Sequence, residues 1–273
     1  MISQSVAQER IRSGGAGMLC CLALLASSLA GCRPDPKTTN VNAAANPVAA
    51  PRSVTVLLFD LSKSVSPANR ERYGDYANRF WNYVSKDAPA SDRPSLLVGA
   101  VITGKSLAEQ QEIFRATARD HSFSDLTESQ EKWAAAMRRE KKSVEAAKAQ
   151  LKNTTTPNTE IMAALDFADR TFASNVASRH SLYIFSDMQE QSKDLDVGNG
   201  SETLSDRRIT DIIEQQKKRG ALPNLRGARV VVVGASSVNS DRYRRVRALW
   251  LAYFKAAKAE LAESDYGDTL KLP

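Results

Sequence analysis

Apolar positions along the chain follow two recurring patterns, and their alternation sets the fold expectation. Short runs of apolar and β-branched residues stand at Val54–Phe59, Leu96–Ile102, Leu182–Phe185 and Val230–Val233. With no polar alternation, such runs suit strands buried on both faces, as in the middle of a parallel sheet. They predict strands ending at Asp60, over Ser95–Thr103, over Ser181–Asp187 and over Arg229–Gly234. Glu112–Ala118 reads as a short further strand, with a helix as the alternative.

Between the runs, apolar residues recur at helical spacing. Tyr73, Ala77, Phe80 and Val84 predict a helix over 67–86. Ser66 is suited to cap it and Pro67 to open it, because proline lacks the N–H that a first helical position leaves unbonded. Residues 123–152 read as a long charged surface helix with a thin stripe of Trp133, Met137, Val144, Ala147 and Leu151. The Thr154–Glu160 cluster of turn and cap residues opens a helix carried by Ile161, Leu165, Ala168 and Phe172. A helix over 204–219 is closed by Gly220, and a last helix over 240–262 buries Val246, Trp250, Phe254 and Leu261.

Strands alternating with helices imply right-handed crossovers and a mostly parallel, doubly wound α/β sheet covered on both faces. Ligands of such sheets bind beyond the carboxyl ends of the strands. Asp60 and Asp187 follow strands and Thr159 opens a helix, so all three are expected on that one edge.

The start of the chain has a different composition. Arg10 and Arg12 precede an apolar run from Met18 to Leu29, which has the length of a signal-peptide core and is short for a membrane anchor. The run ends in Leu29-Ala30-Gly31-Cys32, which resembles a bacterial lipobox. That resemblance implies cleavage before Cys32 and a lipid on its sulfur; an ordinary cleaved signal peptide is the alternative. Residues 33–52, rich in Pro, Asn, Ala and Thr, read as a flexible tether to a domain over 53–273, with a helical insertion at about 119–155.

Cysteine usage agrees with export without disulfides. Cys20, Cys21 and Cys32 are the only cysteines, so cleavage leaves Cys32 alone. Removing residues 1–31 from the 273 leaves 242, enough for one α/β domain with its own core. The formal charge of +7 becomes +6, since Glu9, Arg10 and Arg12 leave together. The basic residues are dispersed without a dense run, which describes a solvated surface, and no nucleic-acid partner is expected.

Asp60-Leu61-Ser62-Lys63-Ser64 is the chemically distinctive stretch. A carboxylate and two hydroxyls at a spacing of two residues can converge on one point, the all-oxygen set that Mg²⁺ or Mn²⁺ takes. Taken alone, the stretch serves equally as a strand end and helix cap. After cleavage, His121 and His180 are the only histidines and Cys32 the only thiol, so zinc, copper and haem lack ligands.

Together with Thr159-Glu160-Ile161 and Phe185-Ser186-Asp187, this stretch resembles the metal-ion-dependent adhesion site of von Willebrand factor type A domains. The resemblance covers roughly residues 53–262, apart from the charged insertion. It implies a doubly wound sheet with Mg²⁺ or Mn²⁺ at its top, held by Asp60, Ser62, Ser64, Thr159 and Asp187. It also implies a protein partner whose acidic side chain completes the shell. Met188 stands where the family usually has glycine, and Glu160 where an aspartate or neutral residue is commoner. The resulting expectation is a lipid-anchored cell-envelope protein that recognises a partner and makes or breaks no bond.

Three enzymatic readings compete. Gly99-Ala100-Val101-Ile102-Thr103-Gly104-Lys105-Ser106 matches the P-loop pattern of nucleoside triphosphatases, with Gly99, Gly104, Lys105 and Ser106 as its nucleotide-binding residues. Against it, Val101 and Ile102 continue a hydrophobic strand and disfavour the φ > 0 conformations of a phosphate loop. A Ser-His-Asp hydrolase would need His121 or His180, and neither has a supporting setting. The Asp60 segment is also similar to an aspartyl-phosphate nucleophile, but Ser62 occupies the place of its usual second aspartate.

Overall fold

The computed structural model describes residues 50–87, 93–105, 112–119, 127–193, 195–197, 203–237 and 239–270. The leader, Cys32, nearly all of the tether, Ser106 and His121 lie outside the described residues.

Every residue of β1 (Ser53–Asp60) from Val54 onward is buried, as its run of apolar and β-branched residues leads one to expect. It pairs in parallel on one side with β2 (Ser95–Ile102) and on the other with β4 (Arg179–Phe185). Beyond β2 lies β3 (Glu112–Ala118), a strand and not a helix, and the one antiparallel member. Beyond β4 lie β5 (Arg229–Val233) and β6 (Glu260–Gly267), both parallel. The order β3-β2-β1-β4-β5-β6 reverses direction between β1 and β4. That reversal opens a crevice at the carboxyl ends of these two strands.

Alternate side chains of β1 enter two cores. Val54, Val56 and Leu58 pack with α3 (Ile161–Ser174), α4 (Asp206–Lys218) and α5 (Ser240–Ala256). Leu57 and Phe59 pack with α1 (Pro67–Asp87) and α2 (Thr127–Asn153). The second core is aromatic near the sheet's upper edge, where Phe59 and Phe185 stack with centroids 4.9 Å apart. Tyr73 closes that cluster, its hydroxyl donating to the Phe185 carbonyl at 3.0 Å.

Two expectations are corrected. The last helix stops at Ala256, not 262, because Lys258 takes a left-handed φ of 63° and turns the chain into β6. Leu261 therefore belongs to a strand and is only partly buried. The charged helix α2 is also more than a surface element. Val144, Ala147 and Leu151 in its C-terminal half are buried against the sheet and α1, while Trp133 and Met137 remain half-exposed. Its exposed ion pairs to α1, Lys148–Asp75 and Lys152–Glu71, add little beside that burial. Among the described residues, no helix is long and apolar enough to cross a membrane.

Candidate metal centre

Three loops meet at the crevice between β1 and β4. The first runs from Leu61 to Ser66, the second from Thr154 to Glu160 and the third from Ser186 to Ser192. The backbone links them. Lys63 N–H donates to the Thr156 carbonyl at 3.0 Å and Thr156 N–H to the Leu61 carbonyl at 2.8 Å. Gln191 N–H donates to the Thr159 carbonyl at 2.8 Å, and Glu160 N–H to Thr103 at the end of β2 at 3.1 Å. The loops are thus tied to one another and to the end of β2 through the backbone.

Asp60, the last residue of β1, is fully buried. Its Oδ1 accepts from Ser62 N–H at 2.8 Å and its Oδ2 from the Ser186 hydroxyl at 2.6 Å. The Ser62 and Ser64 hydroxyls lie 2.8 Å apart, and Ser64 also hydrogen-bonds the Asp187 carboxylate. Asp187 lies two residues beyond β4 and accepts from Gln189 N–H at 3.0 Å. Asp60, Ser62, Ser64 and Asp187 therefore form one continuous polar cluster. Lys63, between the two serines, is exposed.

Thr159 is buried beside Gln191, and its hydroxyl has no hydrogen-bond partner. An unsatisfied buried hydroxyl costs about 1–3 kcal/mol. The carboxylates are costly too. Burial first, and then the nearby Asp187 charge, push the Asp60 carboxyl up to about 6, against the lowering effect of its hydrogen bonds. Burial also raises Asp187 above the usual carboxylate range. Among the described residues neither carboxylate has an ion-pair partner. Two buried carboxyls, two linked hydroxyls and an orphaned threonine hydroxyl fit a hard divalent cation: it would neutralise the first and satisfy the last.

Residues beyond the sequence motif shape this site. Ser186 orients Asp60 while its own oxygen accepts from Met188 N–H at 2.9 Å. Met188 adopts φ 64°, the left-handed conformation that glycine takes most easily, and is fully buried. Its carbonyl accepts from the Trp250 indole at 2.9 Å, which anchors the third loop to α5. Glu190 was absent from the sequence reading. Its carboxylate is fully buried and accepts from Ile161 N–H at 2.7 Å and Met162 N–H at 3.0 Å. The one sequence hint was indirect: Glu160, at the N-cap of α3, belongs to a residue type that caps poorly, and it makes no side-chain cap bond. Burial pushes the Glu190 carboxyl up to about 8 despite the helical N–H groups.

The backbone counts against the P-loop reading and agrees with the strand-and-turn alternative. Gly99, Ala100, Val101 and Ile102 lie inside β2, paired to β1, so their N–H groups do not cradle a phosphate. A Cβ at Gly99 would stand 2.2 Å from the Phe114 ring, so this glycine serves strand packing. Gly104 and Lys105 form the turn after β2. His180, the described histidine, stacks on Phe172 far from any serine–aspartate pair named above, at the opposite end of β4 from Asp187.

Several solved structures are similar to this chain in outline. The manganese-loaded TRAP protein of Plasmodium vivax is 16% identical with a TM-score of 0.37, over 72% of this chain and 63% of that one. The von Willebrand factor type A protein from Catenulispora acidiphila is 12% identical with a TM-score of 0.42, over 77% and 38%. The open form of the pilus adhesin SpaC from Lactobacillus rhamnosus GG is 11% identical with a TM-score of 0.42, over 79% and 28%. The chain spans less than two thirds of each of these proteins. No family model and no curated protein matches it. At these scores the assignment of a doubly wound α/β fold rests on the strand order and register themselves.

Proposed function

We propose that the domain binds a partner protein through Mg²⁺ or Mn²⁺ held by Asp60, Ser62, Ser64, Thr159 and Asp187. The observation that carries this reading is the orphaned Thr159 hydroxyl together with two buried carboxyls that, among the described residues, have no ion-pair partner. Asp60 and Asp187 supply the charge, Ser62, Ser64 and Thr159 supply neutral oxygens, and Ser186 holds Asp60 in place. A cation bound by two carboxylates keeps enough positive charge to attract an acidic side chain from the partner. The chain's role is recognition; no catalytic group is assigned. The Leu29–Cys32 pattern adds a lipid on Cys32, which would hold the domain at the bacterial cell envelope through the 33–52 tether.

Thermal unfolding of the domain in EDTA and in Mg²⁺ tests the site. Mg²⁺ is expected to raise the midpoint of the wild type and leave that of Asp60→Ala unchanged, by simple linkage. A midpoint indifferent to Mg²⁺ and Mn²⁺ would count against the cation, and a shift that requires ATP and is lost in Lys105→Ala would restore the nucleotide reading. For the anchor, a Cys32→Ser protein that still fractionates with membranes would count against lipidation.

A further inference from the structure

We propose that Glu190 is a positioning residue that sets Thr159 against the cation by clasping the start of α3 to the third loop. The inference rests on the cation reading of the site and adds a residue to it.

Thr159 is fixed from both neighbouring loops. Its carbonyl accepts from Gln191 N–H at 2.8 Å, and the next N–H, that of Glu160, donates to Thr103 at 3.1 Å. The two N–H groups after that, of Ile161 and Met162, both go to one oxygen of Glu190. The local side chain at the N-cap, Glu160, makes no such bond, so the cap comes from residue 190 across 29 positions of sequence. Glu190 is itself held, its backbone carbonyl accepting from Val197 N–H at 2.9 Å. It lies three residues after Asp187, so one short segment carries a carboxylate ligand at one end and the clasp on the threonine ligand at the other. A buried acceptor with two N–H donors defines a position to within the narrow range that hydrogen bonds allow. A metal ligand in turn depends on the outer groups that orient it.

An ordinary helix cap would stabilise α3 and leave the cation indifferent. Positioning requires the length of the side chain, because both N–H groups must be reached; the charge is secondary. Glutamine keeps that length, and its amide N–H₂ can turn to Ser192, whose side chain already hydrogen-bonds the carboxylate. Aspartate keeps the charge and falls one methylene short.

The test is calorimetric titration of Mn²⁺ into the domain, well below its unfolding midpoint, for wild type, Glu190→Gln, Glu190→Asp and Thr159→Val. Glu190→Gln is expected within about threefold of the wild-type affinity, and Glu190→Asp at least tenfold weaker. Adding Glu190→Asp to Thr159→Val should cost no further affinity, since both act on the same ligand. Equal affinity in Glu190→Asp and wild type would overturn the proposal, as would full additivity with Thr159→Val. A larger loss in Glu190→Gln than in Glu190→Asp would also overturn it, by showing that charge matters and reach does not. If wild type itself takes up no Mn²⁺, the cation reading falls and the proposal with it. Should Glu190→Asp fail to fold, a Glu190→Gln affinity more than about tenfold below wild type would overturn the proposal, because the side chain's reach is kept there and only its charge is lost.

Discussion

Asp60 and Glu190 are both fully buried carboxyls on the same sheet edge, both raised well above their ordinary range, yet they are surrounded very differently. Glu190 spends an oxygen on two helical N–H groups and stands beside a capped helix, a closed arrangement. Asp60 is bonded by the N–H and hydroxyl of Ser62 and by the Ser186 hydroxyl, and its cluster continues through the linked Ser62 and Ser64 hydroxyls to a second carboxyl, Asp187. The contrast teaches that burial of an acid does not by itself mark an ion site. What sets Asp60 apart is its company, since its donors are hydroxyl-bearing serines that lead on to a second buried carboxyl, the oxygen ligands a hard cation takes.

The largest effect expected from this contrast is a pH dependence. Both groups have folded values raised above the unfolded ones, so the stability they contribute is present at low pH and lost as pH rises. The metal-free domain should therefore lose stability from about pH 4 to about pH 6 through Asp60, and up to about pH 8 through Glu190. The Asp60 part amounts to on the order of 3 kcal/mol. Denaturant unfolding in EDTA across this range checks it, and a profile that rises through the range would break the assignment. Saturating Mg²⁺ should flatten or reverse the Asp60 part and leave the Glu190 part in place, which separates the two acids directly.

Asp60→Asn gives the next largest effect. In EDTA at pH 8 it should be more stable than wild type, because a buried charge has been removed, and Mg²⁺ should no longer shift its midpoint. A destabilised Asp60→Asn protein would mean that the carboxylate already has a compensating partner. Thr159→Val is near-isosteric and removes only the orphaned hydroxyl, so metal-free stability should rise by about 1 kcal/mol while Mn²⁺ affinity falls. Unchanged affinity there would take threonine out of the ligand set. Smallest of all, Ser186→Ala should weaken Mn²⁺ binding a few-fold in calorimetry, since Asp60 keeps its bond from Ser62 N–H.

The site's first segment was legible because its chemistry is local. Asp60, Ser62 and Ser64 lie within five residues of a strand whose burial is written in its apolar run. The alternation of strands and helices was legible for the same reason. Contributions from distant residues were not: nothing in the neighbourhood of Glu190 announces that it caps a helix 29 residues earlier. Met188 was visible where the motif's resemblance led us to expect glycine, and it carries a left-handed φ on a fully buried side chain. β6 carries no apolar signal, because Glu260, Glu263 and Asp265 interrupt it and half of its residues are exposed. The preceding helical pattern was therefore carried too far.

That last strand has a consequence for how the protein behaves in a crowded compartment. A sheet edge presents unpaired peptide groups to any extended chain that comes near, and is a template for aggregation. At the two ends of this sheet the risk is handled in different ways. β3 is packed by α2, whereas β6 ends the sheet with a row of acidic side chains, two of them held by Arg229 and Arg247. An incoming strand would have to desolvate those charges to dock. The polarity that hid β6 from a pattern of apolar residues is thus a gatekeeper, disfavouring growth of the sheet by addition of a second chain.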